Sequence, residues 1–264
     1  MNNFSFINFN NAFLICAALF TSAFGALFYT LPGWQNKTYE RVTHVIFDVD
    51  NTVLSVDEIY KEADTEIIEH YGKKYQYSLK LRTAGRSRRE RAQLIVKELK
   101  LPCTAEEFES LSREYYFRLL PEAEVMPGVL KLCHHLAEHG VLMALATSGC
   151  QDDLIQKFRY HDQLFGLFHH VAIVGEYNST KYKPAPDVFL MAAEKFPDKP
   201  SPNKCLVIDD MADGVEAARN ASMQVVYVPC DKGTPQYEKE KATLAIETLN
   251  EFIPERFGLP PFPK

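Results

Sequence analysis

The sequence predicts an α/β fold: a parallel sheet with helices on both faces and an all-helical segment inserted after the first strand. Three observations carry that prediction. Short apolar runs rich in β-branched residues alternate with amphipathic stretches along most of the chain. The runs are apolar throughout, as strands covered on both faces are, rather than alternating apolar with polar. One long stretch, residues 58 to 124, breaks the alternation and reads as helices only, for example ERAQLIVKELK and AEEFESLSREYYFRLL.

Taken in order, the apolar runs are His44 to Phe47, Val141 to Ala146, Val171 to Val174, Cys205 to Ile208 and Val225 to Val228. Helix-like segments fall between them, at Gly128 to His139, Asp152 to Tyr160, Asp187 to Lys195 and Asp213 to Ser222. The expected organisation is a hydrophobic leader over 1–36, the first part of the core over 37–57, a helical insertion over 58–124, and the rest of the core with a C-terminal tail over 125–264. Met126-Pro127-Gly128 marks the return to the sheet, and the terminal FGLPPFPK reads as a proline-limited surface tail.

The leader is the compositional oddity. Residues 1–36 carry no charged side chain, and Ala12 to Leu31 is about the length that crosses ~30 Å of hydrocarbon. Lys37 and Arg41 follow it and nothing basic precedes it, which would leave the rest of the chain in the cytoplasm, tethered through residues 12–31. A cleaved signal peptide, with small residues at Ala23-Phe24-Gly25, and a loosely packed extension are the rival readings.

The 264 residues are 46% hydrophobic and 24% charged, an ordinary globular balance. A net charge of -6 provides no positive field for nucleic acid, so no nucleic-acid partner is expected. The six cysteines form no CxxC pair and read as reduced thiols. His134-His135 and His169-His170 have no acidic or thiol partner at ligand spacing, and read as structural or exposed.

In open α/β sheets, ligands bind at the carboxyl ends of the strands. Four polar signals fall there: Asp48 and Asp50 after the first run, Thr147-Ser148-Gly149 after the second, Lys183 within KYKPAPD, and Asp209-Asp210 after CLVI. Singly, each has a plain reading as a turn, a helix cap or a solvated charge. Adjacent parallel strands would gather them, and clustered carboxylates repel unless a cation joins them. Magnesium takes oxygen ligands and is held by one or two carboxylates plus a phosphate.

DVDNT, ATS, YKPAPDVF and VIDDMADGVEAA occur in the order and approximate spacing of the haloacid dehalogenase superfamily, which the chain resembles. THVIFDVDNTVL, MPGVLKLCHHLAEHG, KPAPDVFL, AARNASMQVVYVP and PERFGLP resemble its pseudouridine-5'-phosphatase-like branch over about residues 42 to 260. The resemblance implies a Rossmann-like core with a helical cap, and a magnesium-dependent phosphomonoesterase acting on a small phosphorylated metabolite. That metabolite would be a nucleoside or sugar monophosphate, with pseudouridine 5'-phosphate the leading candidate. It implies Asp48 as nucleophile, Asp50 as acid and then base, Thr147 and Ser148 on the phosphoryl oxygens, and Lys183 as charge compensation. The metal would be held by Asp48, Asp210 and the backbone carbonyl of Asp50, with Asp209 supporting that shell. A weakly active or inactive protein that binds a phosphorylated ligand, and a phosphomutase, are the alternatives.

Several residues depart from the branch pattern. Asn51, Tyr182 and Ser222 stand where glycine is usual, Met211 where serine is, and Ser55-Val56-Asp57 where Asp-Thr-Glu is. Asn is among the residues that tolerate left-handed backbone angles. In the insertion, Arg82, Arg86, Arg88, Arg89 and Arg91 crowd around Gly85. The plain reading is a solvated helix face paired with acids. Arg86 is the residue selected for contact with the substrate.

Overall fold

The computed structural model describes residues 37–83, 88–174, 181–230 and 233–263. The leader, with its expected anchor at residues 12–31, and Arg86 lie outside the described residues. Among the described residues, no helix is long and apolar enough to cross a membrane.

The described strands are β1 (His44–Asp48), β2 (Leu142–Thr147), β3 (His170–Ile173), β4 (Cys205–Asp209), β5 (Gln224–Tyr227) and β6 (Leu244–Ala245). They form one sheet in the order β3-β2-β1-β4-β5-β6, and every pairing is parallel. The chain therefore runs outward from β1 to one edge and then, from β4, to the other. The two-residue β6 is too short to leave a periodic signature, and the sequence gives no sign of it.

Helices cover both faces: α5 (Val129–Glu138), α6 (Gln151–Tyr160), the short α7 (Asp162–Phe165), α8 (Asp187–Lys195), α9 (Ala212–Asn220) and the short α10 (Gln236–Lys239). Successive residues of β1 point to opposite faces, so its apolar run feeds two cores. Val45 and Phe47 join Leu132, Leu136 and Phe257 on one side. Ile46 joins Phe189, Ala192, Val215 and Ala218 on the other. A strand sandwiched in this way buries every residue, which is why β1 and β4 read as unbroken apolar runs.

Among the described residues, four α-helices lie between β1 and the return to the sheet at Met126-Pro127-Gly128: α1 (Asp57–His70), α2 (Tyr77–Thr83), α3 (Arg88–Leu99) and α4 (Ala105–Leu119). They carry a core of their own, with Ile67, Ile68, Leu79, Ile95 and Phe108. Thr104 begins α4 with a capping box: its hydroxyl accepts from the Glu107 N–H at 3.1 Å, and Glu107 Oε2 accepts from the Thr104 N–H at 2.8 Å. Most of the arginine stripe on α2 and α3 is paired with acids. Arg91 meets Asp64 at 2.6 Å, Arg82 meets Glu98 at 2.5 Å, and Arg89 meets Glu106 at 3.2 Å.

The histidine pairs take the structural or exposed roles expected of them. On α5, His134 is exposed while His135 is buried and bonds the Pro260 carbonyl at 2.9 Å. Adjacent positions on a helix face different sides.

Candidate active site

Register explains why the predicted residues meet. Asp48 ends β1 opposite Ala146, one residue before Thr147 at the end of β2. Phe47 lies opposite Ile208, one residue before Asp209 at the end of β4. Three neighbouring parallel strands thus deliver Asp48, Thr147 and Asp209 to one edge.

Lys183, from the loop before α8, reaches into this cluster. Its Nζ donates to Asp48 Oδ1 at 2.6 Å and to Asp209 Oδ2 at 2.7 Å. Burial works against its charge, but the Asp209 and Asp48 carboxylates outweigh burial and raise its pKa above the ordinary lysine value. The Asp209 carboxylate is locked from both sides. Its Oδ1 accepts the Met211 N–H at 2.9 Å. Gly214 lies against it so closely that a Cβ there would come within 2.1 Å of the carboxylate. The side chain at 211 is not used in that contact, which is made through the backbone.

Asp48 and Asp210 are both buried acids. Burial, followed by the charges of Asp209 and Asp50, raises the Asp48 carboxyl from the ordinary 3.8 to about 7 despite Lys183. Burial, then Asp209 and Asp48, pushes Asp210 well above its ordinary value. Thr52 donates to Asp210 Oδ1 at 3.3 Å. This set suits a small hard cation: buried carboxylate oxygens crowd together with more negative charge than Lys183 balances. Among the described residues, no three His, Cys, Asp or Glu side chains form a ready cage. Magnesium does not require one, since one or two carboxylates and retained waters suffice. Both oxygens of Asp209 are already engaged with Lys183 and Met211, which leaves Asp48 and Asp210 as the side chains that fit direct contact.

Thr147 is buried, and its Oγ1 accepts the Gly149 N–H at 2.9 Å, which shapes the turn after β2. Ser148 is exposed on that turn. Asp50 pairs with the ammonium of Lys157 from α6, a partner the sequence reading missed. The available signal was positional: Lys157 falls one turn after Asp153, on the helix face that also buries Leu154.

Asn51 is the second residue whose contribution went unseen. It sits at φ +58°, the left-handed conformation that glycine usually supplies. Its side chain does what glycine cannot. Oδ1 accepts the N–H groups of Val56 and Asp57, both at 3.0 Å, and Nδ2 donates to Asp57 Oδ1 at 2.7 Å. The departures at 51 and 57 are therefore coupled. Asn51 supplies acceptors to the start of α1, whose N-cap, Val56, has no side-chain acceptor of its own.

Beside the carboxyl edge of the sheet, side chains of α3 and α4 reach α6. Arg88 pairs with the buried Asp153, and Arg113 pairs with the exposed Asp152. The guanidinium of Arg88 also lies 5.2 Å from the ring centre of Tyr116, which stacks on Tyr60 at 4.3 Å.

Comparisons with known proteins bear on the family and the fold. A family model for haloacid dehalogenase-like hydrolases matches residues 42–222. The Drosophila melanogaster protein named "Probable pseudouridine-5'-phosphatase" is 39% identical over 228 residues, covering 86% of this chain and 98% of its own. The mitochondrial (DL)-glycerol-3-phosphatase 1 of Arabidopsis thaliana is 37% identical, over 84% of this chain and 75% of its own. In fold, the crystal structure of a β-phosphoglucomutase from Clostridium difficile matches with a TM-score of 0.66 at 20% identity, over 81% of this chain and 94% of that one.

Proposed function

Because the chain belongs to the haloacid dehalogenase-like hydrolases and is a phosphoric monoester hydrolase, we propose that Asp48 is its nucleophile and that it turns over through an aspartyl-phosphate. The observation that carries this reading is Lys183, whose ammonium bridges Asp48 and Asp209 at 2.6 and 2.7 Å. A lysine held there neutralises the nucleophile and lies where a phosphoryl dianion would arrive.

In the first half-reaction an Asp48 oxygen bonds to phosphorus while the ester P–O bond breaks. The departing alkoxide takes a proton from Asp50. In the second, the Asp50 carboxylate takes a proton from water, whose oxygen bonds to phosphorus and frees Asp48. Thr147 and Ser148 donate to the phosphoryl oxygens throughout, and Lys183 stays cationic beside them. Magnesium, which hydrolases of this family generally use, would be held by Asp48, Asp210 and the Asp50 backbone carbonyl, with Asp209 supporting Asp48 through Lys183. When bound, it would stabilise the negative charge that gathers on the phosphoryl group. Arg86 is proposed to meet the rest of the substrate from the cap.

The substrate proposed is a small nucleoside, sugar or polyol monophosphate, with pseudouridine 5'-phosphate first and glycerol 3-phosphate second. The relatives named for those activities support this choice. The test is phosphate release by the full chain from a panel of such monophosphates, with and without magnesium, beside Asp48→Asn. Magnesium-dependent release that vanishes in the variant is expected. No release from any member by folded, magnesium-loaded protein would overturn the reading.

A further inference from the structure

We propose that Lys157 is a positioning residue for Asp50, an inference that rests on the acid–base role given to Asp50 above. Lys157 is 0% exposed, although it is a lysine on an otherwise amphipathic helix. Burying an ammonium is expensive, and an apolar side chain of the same length would pack there without that penalty. Its ammonium is spent on Asp50 Oδ1. The Asp50 side chain keeps 29% exposure, so one oxygen is anchored while the carboxylate stays accessible to solvent.

The surroundings of Lys157 hold this pair in place. The groups that act on it are Asp50, the phenol of Tyr60 and Asp153. Tyr60 comes from α1 and is stacked on Tyr116 of α4, while Arg88 of α3 ties down Asp153. Helices of the cap therefore help to enclose an ion pair whose members both belong to the core. Exclusion of water strengthens the pair and fixes its direction. A carboxylate that must reach first a leaving oxygen and then a water has to lie within hydrogen-bond reach of each, and an error of ~1 Å costs on the order of 100-fold. Lys157 supplies the constraint that a freely rotating Asp50 would lack.

The experiment is a double-mutant cycle on the full chain with Lys157→Met, Asp50→Asn and the pair combined. It uses the panel monophosphate that the wild type turns over fastest, an alkyl ester whose alkoxide needs a proton, and p-nitrophenyl phosphate, whose leaving group does not. Lys157→Met is expected to lower kcat on that alkyl ester about 10- to 100-fold with KM changed less than about threefold. The p-nitrophenol burst should be affected far less. In the Asp50→Asn background, adding Lys157→Met should change kcat by less than about twofold, because the residue it positions is gone. If Lys157→Met does not fold, Lys157→Gln, which removes the charge and keeps a polar end, enters the same cycle with the same two outcomes. A multiplicative loss in the Asp50→Asn background, or a p-nitrophenol burst rate that falls as much as turnover of the alkyl ester, would overturn the inference while leaving the phosphatase reading intact. Wild-type turnover no higher than that of Asp48→Asn on every monophosphate of the panel would instead defeat the phosphatase reading, and this inference with it.

Discussion

Replacing Asn51 separates two contributions that the turn after Asp50 combines. Asn51→Gly keeps the left-handed backbone and removes the side chain, while Asn51→Ala removes the side chain and keeps a Cβ at φ +58°. Two N–H groups lose their acceptor in both variants. Val56 is buried, and an unsatisfied buried N–H costs about 1–3 kcal/mol. Asp57 is only half-buried, so its N–H and carboxylate turn to water at little net loss. Glycine is strain-free here, but its extra freedom in the unfolded chain offsets much of that gain, about 0.5–1 kcal/mol. The expected loss is about 2 kcal/mol for Asn51→Gly. Alanine adds the left-handed penalty of about 1–2 kcal/mol, for a total of about 3–4 kcal/mol. At ~2–4 °C per kcal/mol for a chain of this size, the melting temperature should fall by about 6 °C and about 10 °C. Urea unfolding of the wild type and both variants gives the order directly. A glycine variant as stable as wild type would mean that the bonds to Val56 and Asp57 contribute nothing. Equal stability of the glycine and alanine variants would mean that the backbone angle does not matter.

Other consequences follow from the same cluster. Gly214→Ala would force a Cβ within 2.1 Å of the Asp209 carboxylate, so that carboxylate must leave Lys183. Phosphate release should fall at least about 100-fold, since a ~1 Å shift at a positioned charge costs that much, and a release assay at saturating substrate checks it. For the metal-free protein, Asp48 binds its proton more tightly folded than unfolded. The stability it contributes is full below its ordinary 3.8 and is lost as pH rises through about 7. Asp48→Asn should therefore flatten the fall in urea midpoint between about pH 4 and about pH 7, and should raise the midpoint above that range, in EDTA. An unchanged pH slope in the variant would show that Asp48 is not the group responsible.

The sequence alone determined the fold class and which strand-end residues gather at one edge of the sheet. A strand buried on both faces is apolar on both sides of its middle, so the Val45–Phe47 and Cys205–Ile208 runs announce themselves without their neighbours. Acids and a hydroxyl at the ends of such runs must meet if the runs are adjacent, and Asp48, Thr147 and Asp209 do. Tertiary structure alone decided which charge answers which. Lys157 and Asp50 are 107 residues apart, and nothing local distinguishes a lysine that will be buried from one that will be solvated. The division of labour between Asp209, with both oxygens engaged, and Asp210, held by Thr52, also depends on contacts between separate strands and loops. Asn51 belongs to both levels. Its residue type was readable as tolerance of a left-handed turn. Its three hydrogen bonds became visible only when the start of α1 was folded against it, because a side chain's partners are set by three-dimensional proximity and not by order along the chain.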